Sequence, residues 1–171
     1  MTENEARFNK IVSDYSEKIY WHVRQMVESH EDADDLVQDI YIKIWKSLDS
    51  FRGEADIFTW IYRIATNETL NFLRKKKVRA FLNFRAVEEE TLGRVASDPY
   101  FNGTAAERAL RREILRLPEK QRIVFTMRYY EEVPYEKMAE ILGTSEGALK
   151  ASYHIASEKI RKNLKNQSFD F

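Results

Sequence analysis

Arg63, Asn67, Asn71 and Arg74 recur at intervals of three and four residues, so on a helix they form one stripe of hydrogen-bonding groups. Ile57, Ile61, Ile64 and Phe72 fall on the opposite side. A guanidinium holds phosphate, whereas an asparagine amide offers both a donor and an acceptor to a base edge. Aromatic residues are interleaved: Phe51, Phe58, Trp60 and Tyr62 have flat faces on which unstacked bases can lie, a contact of about 1–3 kcal/mol per base. Phe58 and Tyr62, taken singly, read as core. Basic, amide and aromatic groups in one stretch point to binding of single-stranded nucleic acid.

A second pattern closes the chain. Residues 135–162 read as helix, glycine turn and helix. Ala139 is small where two helices cross, Gly143 sits where a positive φ is needed, and Leu149 turns inward from the second helix. Pro134 opens the first helix, and Thr144 or Ser145 caps the second. A helix-turn-helix lays its second helix in the major groove of duplex DNA, with early residues facing base edges.

Catalytic chemistry finds little support. GxxxxGK[ST], HExxH and GxSxG motifs are missing, and the three histidines, His22, His30 and His154, are scattered. His22 reads as a partly buried or surface residue, not a ligand. No cofactor or metal is expected. The chain has no cysteine, which removes disulfides and thiolate zinc sites and agrees with a cytosolic setting. No apolar run approaches the roughly 20 residues that span a bilayer, and MTENEARFNK lacks a signal peptide's apolar stretch. A soluble, cytoplasmic protein is expected.

Acidic and basic residues balance at 28 each, whereas a self-sufficient DNA binder is usually basic. Their distribution is uneven. Residues 1–39 carry a net charge of −6 and residues 40–86 a net of +6. An acidic front repels phosphate and suits a basic protein surface. The basic middle, with Arg74, Lys75, Lys76, Lys77 and Arg79 nearly consecutive, suits nucleic acid. A chain polarised in this way calls for a protein partner at its DNA.

The elements that must hold these groups are helices throughout. Apolar residues at helical spacing predict a first helix from about Glu5 to Val27, a second beginning beyond a cap at Asp32 or Asp34, and a third from about Ile57 to Lys76. DSFRGEAD, residues 49–56, interrupts the period as a loop. Residues 78–105, with Asp-Pro and Asn-Gly pairs at 97–103, read as a linker, and helical periodicity resumes near Ala106. The terminal NQSFDF is expected to fray. The expected fold is all-α: two small helical domains over 1–77 and 106–171, joined by that linker.

DADDLVQDIYIKIWKSLDSFRGEADIFTWIYRIATN resembles region two of bacterial RNA polymerase sigma factors, particularly the extracytoplasmic-function (ECF) group. LPEKQRIVFTMRYYEEVPYEKMAEILGTSEGALKASYHIA resembles region four of the same group. The resemblance implies that Asp35, Gln38, Asp39 and Ile42 contact core RNA polymerase. It assigns the loop around Phe51, Arg52 and Gly53 to a base flipped from the minus-ten element. Asn67 then reads that element with Trp60, Arg63, Asn71 and Arg74 beside it. It places Lys150 and His154 at bases of the minus-thirty-five element, with Ser145 and the helix start holding phosphate and Ser152 in the same DNA-binding set. Many relatives carry arginine where this chain has Ser152 and Ile155, so a weaker electrostatic grip is implied. The implied partners are core RNA polymerase, promoter DNA and an anti-sigma factor, which in this group is often membrane-bound. The alternative is a stand-alone helix-turn-helix regulator of duplex DNA, but no dimerisation surface or ligand domain is evident for it.

Overall fold

The structure, a computed structural model, describes residues 1–83 and 101–167. Helix α1 spans Glu3–Arg24, and Thr2 and Glu5 close its start as a reciprocal capping box. Helix α2 spans His30–Ser47. Its cap is Ser29, whose side chain accepts from the Asp32 amide, so neither Asp32 nor Asp34 holds that place. Asp32 lies instead within the first turn, where its charge faces the positive end of the helix dipole.

Helix α3 spans Ile57–Leu82 and is capped by Asp56, which accepts from the Thr59 amide at 2.9 Å. It runs past Lys76 into the stretch read as linker, because neither proline nor glycine interrupts residues 57–82. The remainder of that stretch up to residue 100, and the final residues from 168, lie outside the described residues. Helices α4 (Ala105–Arg116), α5 (Glu119–Tyr129), α6 (Tyr135–Leu142) and α7 (Glu146–Asn166) complete the described residues. Among the described residues no strand occurs.

Amphipathic stripes decide how these helices pack. Ile19, Val23 and Met26 at the end of α1 meet Leu36, Ile40 and Ile44 of α2 and Ile61 and Ala65 of α3, all buried. This core continues without a break into Ile123 and Met127 of α5, Met138 and Ile141 of α6, and Leu149 of α7. Each fully buried side chain of this kind contributes roughly 1.5–3 kcal/mol, so the continuous core is a strong tie. A smaller core, Ile114, Leu117, Phe125, Ala156 and Ile160, sits among α4, α5 and α7. Front and back halves therefore pack on each other along a seam, with α6 lying against α3.

Candidate nucleic-acid interface

Three separate surfaces carry the residues singled out from the sequence. On α2, Asp35, Gln38, Asp39 and Ile42 share one exposed face, opposite buried Ala33, Leu36, Ile40 and Ile44. Ile42 is 51% exposed, an apolar side chain left in water one turn beyond Gln38 and Asp39. Asp35 and Asp39 make no ion pair with the described residues, unlike Asp32, which takes Lys76 at 2.8 Å. Lys76 also reaches Glu28, at 3.2 Å. One member of the basic run is thus spent inside the protein, pinning α3 to the start of α2.

On α3, Arg63, Asn67, Asn71 and Arg74 are all exposed along one side, as their spacing predicts. Tyr62 is buried, and Phe58 stacks on it with ring centroids 4.1 Å apart, so both belong to packing. Burial, and then the negative charge of Glu131, push the Tyr62 hydroxyl far above its usual pKa and keep it neutral. Phe51 and Trp60 behave differently. Their rings lie 4.6 Å apart and only half-buried, bordering a polar cleft of about 860 Å³ beneath the 50–56 loop. Gly53 turns that loop with φ of 76°. Arg52 and Arg63 line the same cleft together with Glu54 and Asp56, so it offers a ring face for a base and a rim of mixed charge.

The far wall of this cleft comes from the other half of the chain. Arg63 Nε donates to the Glu140 carbonyl at 2.9 Å, and the Thr59 hydroxyl lies 3.3 Å from the Glu140 carboxylate. Lys137 pairs with Asp56 and holds the Asp56 carboxyl below its ordinary pKa, assisted by the Thr59 amide. Sequence reasoning missed Lys137 and Glu140, because contacts between residues some 80 positions apart leave no local pattern.

The third surface is the helix-turn-helix. Gly143 adopts φ 64° and ψ 37°, and its amide reaches the Ala139 carbonyl at 2.9 Å, ending α6 in the left-handed conformation. Ser145 caps α7 by accepting from the Ala148 amide at 3.2 Å. Leu149 is buried, and Lys150 and His154 stand exposed one turn apart. Ser152 is half-buried at the flank of α7, less accessible than those two. Lys150 Nζ lies 5.5 Å from the Tyr135 ring centre, and Arg128 lies 5.2 Å from the same ring. Tyr135 was not singled out, yet it restrains the lysine on the exposed face.

His22 is fully buried, not partly exposed as the sequence suggested. Its Nδ1 lies 2.8 Å from Glu131 Oε1 and its Nε2 3.0 Å from the Thr66 hydroxyl. Among the described residues no cluster of His, Asp or Glu could hold a metal ion.

Residues 11–79 match the model of sigma-70 region 2, and residues 107–160 match that of sigma-70 region 4. The ECF RNA polymerase sigma factor SigW of Bacillus subtilis is 31% identical over 167 residues, covering 93% of this chain and 89% of the relative. The ECF RNA polymerase sigma-E factor of Escherichia coli K12 is 31% identical over 165 residues, covering 92% and 86%. In structure, the chain is similar to the sigma factor RpoE of Bartonella quintana, solved with the anti-sigma factor NepR. That match has a TM-score of 0.72 at 22% identity, over 95% of this chain and 99% of the other. CnrH, solved with the cytosolic domain of CnrY, gives a TM-score of 0.69 at 23% identity, over 97% and 92%. The chain belongs to the ECF group of RNA polymerase sigma factors: it is an all-helical, DNA-binding factor of transcription initiation.

Proposed function

We propose that the three surfaces divide the work of initiation among core RNA polymerase and two promoter elements. The exposed α2 face, with Asp35, Gln38, Asp39 and Ile42, docks on a basic groove of the core enzyme. The cleft beneath the 50–56 loop receives a flipped base of the minus-ten element, with Phe51, Arg52 and Gly53 around it and Trp60 as its stacking platform. Arg63, Asn67, Asn71 and Arg74 track the adjoining single strand. Extruding a base costs a few kcal/mol, which the stacking face and the two arginines, Arg52 and Arg63, offset. Helix α7 enters the major groove of the minus-thirty-five element through Lys150 and His154, with Ser145 and the first-turn amides at phosphate and Ser152 at the flank. Residues 1–77 and 106–171 act as the two working units, and the 78–105 stretch that joins them begins as the last turns of α3.

One observation supports this reading above the others: the exposed Arg63–Asn67–Asn71–Arg74 ribbon runs beside an aromatic cleft on a chain that also carries a helix-turn-helix. A stand-alone regulator of duplex DNA has no use for that ribbon. The factor performs no catalysis of its own and works in the cytoplasm. No described helix is long and apolar enough to cross a membrane. An anti-sigma factor competes for the polymerase-facing surfaces. Run-off transcription with bacterial core polymerase and a pool of genomic promoters tests the function. Initiation at discrete start sites is expected, and its absence would refute the assignment.

A further inference from the structure

We infer that Ile155 is a specificity residue of the helix-turn-helix, reading the 5-methyl group of one thymine in the minus-thirty-five element. This contact rests on the functional assignment above and adds a base reader to it. Ile155 is 47% exposed, although α7 buries Leu149, Ala156 and Ile160 along its packed side. It follows His154 directly and stands one turn beyond exposed Ala151. A single exposed apolar residue ordinarily needs no explanation. This one lies within the first three turns of the helix that enters the groove, where side chains meet base edges.

Chemistry narrows what Ile155 can meet there. Base edges in the major groove present hydrogen-bonding groups, and thymine alone adds an apolar one, its C5 methyl. Isoleucine neither donates nor accepts, so against any other edge it would strip water from polar groups and replace none of the lost bonds. Against thymine, apolar surface is buried on both partners. The side chain is also stiff: a β-branched residue in a helix has one strongly preferred rotamer and loses little freedom on contact. Its surroundings leave room. Gly147, Ala151 and Ile155 succeed one another at intervals of four on the exposed side, and a Cβ added at Gly147 would touch nothing, so the backbone can come close to the bases. Glu158, one turn further along, pairs with Arg161, which offsets a charge that would repel phosphate. Lys150 leans toward Tyr135 and Glu146, leaving the other flank of the helix to Ile155. The two residues are five positions apart, about 7.5 Å along the axis or roughly two base steps, so they address different base pairs.

The test uses the full chain with bacterial core polymerase on a promoter at which it initiates, and compares templates within one protein. Each thymine of the upstream element, on either strand, is replaced singly by deoxyuridine, which removes the methyl and no hydrogen-bonding group. At one position the replacement should slow open-complex formation about fourfold, the factor for burying one such carbon. In Ile155→Ala the two templates should become equal. That variant places a better helix former at an exposed site, so α7 is kept. Because each comparison is made within a single protein, weaker polymerase binding cancels out of it. No slowing by any deoxyuridine, an upstream element without an A·T pair, or a full difference retained in Ile155→Ala would overturn the assignment of Ile155. A retained difference together with weakened co-elution of Ile155→Ala with core polymerase would give the side chain to a protein surface instead. A parent chain that initiates nowhere would strike the sigma-factor assignment, not this contact. Duplexes selected from a random pool by the chain alone then carry the same thymine and deoxyuridine comparison, read as binding.

Discussion

At the scale of single residues, exposure and chemistry separate the residues proposed to read DNA from those that hold the fold. Asn67 stands exposed in the middle of its ribbon, with Arg63 and Asn71 one turn to either side. Asn67→Ala should abolish promoter opening while sparing association with core polymerase, read as lost permanganate reactivity of minus-ten thymines. Lys150 is held over Tyr135 beside exposed His154, a placement suited to a base contact. Lys150→Ala should change base preference in the upstream element, with a loss of about 1–3 kcal/mol for the preferred base. Uniform weakening across all promoters would reduce Lys150 to a phosphate contact. The exposed side of α3 was legible in the sequence because a helical stripe can be counted. Tyr135 was not, because its role depends on two cations brought in from α5 and α7.

At the scale of elements, termini carry the information. Gly143 ends α6 with positive φ, and a Cβ built there would touch nothing, so Gly143→Ala costs only backbone strain. A loss of about 1–2 kcal/mol is expected in urea unfolding. Asp56 has a double duty, capping α3 and pairing with Lys137. Its pKa is lowered chiefly by the lysine and then by the Thr59 amide. A depressed carboxylate stabilises the fold above its unfolded pKa, and that contribution vanishes as pH falls through the folded value. The Asp56 carboxyl should therefore titrate by NMR below an ordinary aspartate. In Lys137→Ala the midpoint should move upward yet stay depressed, since the amide bond remains. Helix type and order were readable from periodicity, and Gly143 from its chemistry. The cap of α2 was missed because Asp32 and Asp34 are as suitable as Ser29 by residue type, and only the extended backbone at Ser29 decides between them. The end of α3 was set too early because a basic run resembles a boundary, although Lys76 is anchored to Glu28 and Asp32.

At the scale of the whole molecule, the seam turns two sequence blocks into one packed body. Arg122 is one of its ties. It donates to the carbonyls of Met26, Leu115 and Leu117, and burial lowers its pKa without displacing it from the charged form. Arg122→Leu should lower unfolding free energy by about 1.5–3 kcal/mol in a urea titration, because hydrogen bonds to a charged group are lost and carbonyls are left buried. No property of residues 1–39 announces this contact, since the front half contributes backbone carbonyls to it. That asymmetry has a consequence for how the protein tolerates change. A main-chain oxygen is the same whatever side chain its residue bears, so a saturation screen for seam integrity should register its losses at Arg111 and Arg122. At the acceptor positions, Met26 for Arg122 and Val27 for Arg111, the side chain is felt only through core packing, so apolar residues of similar size should leave the hydrogen bonds intact.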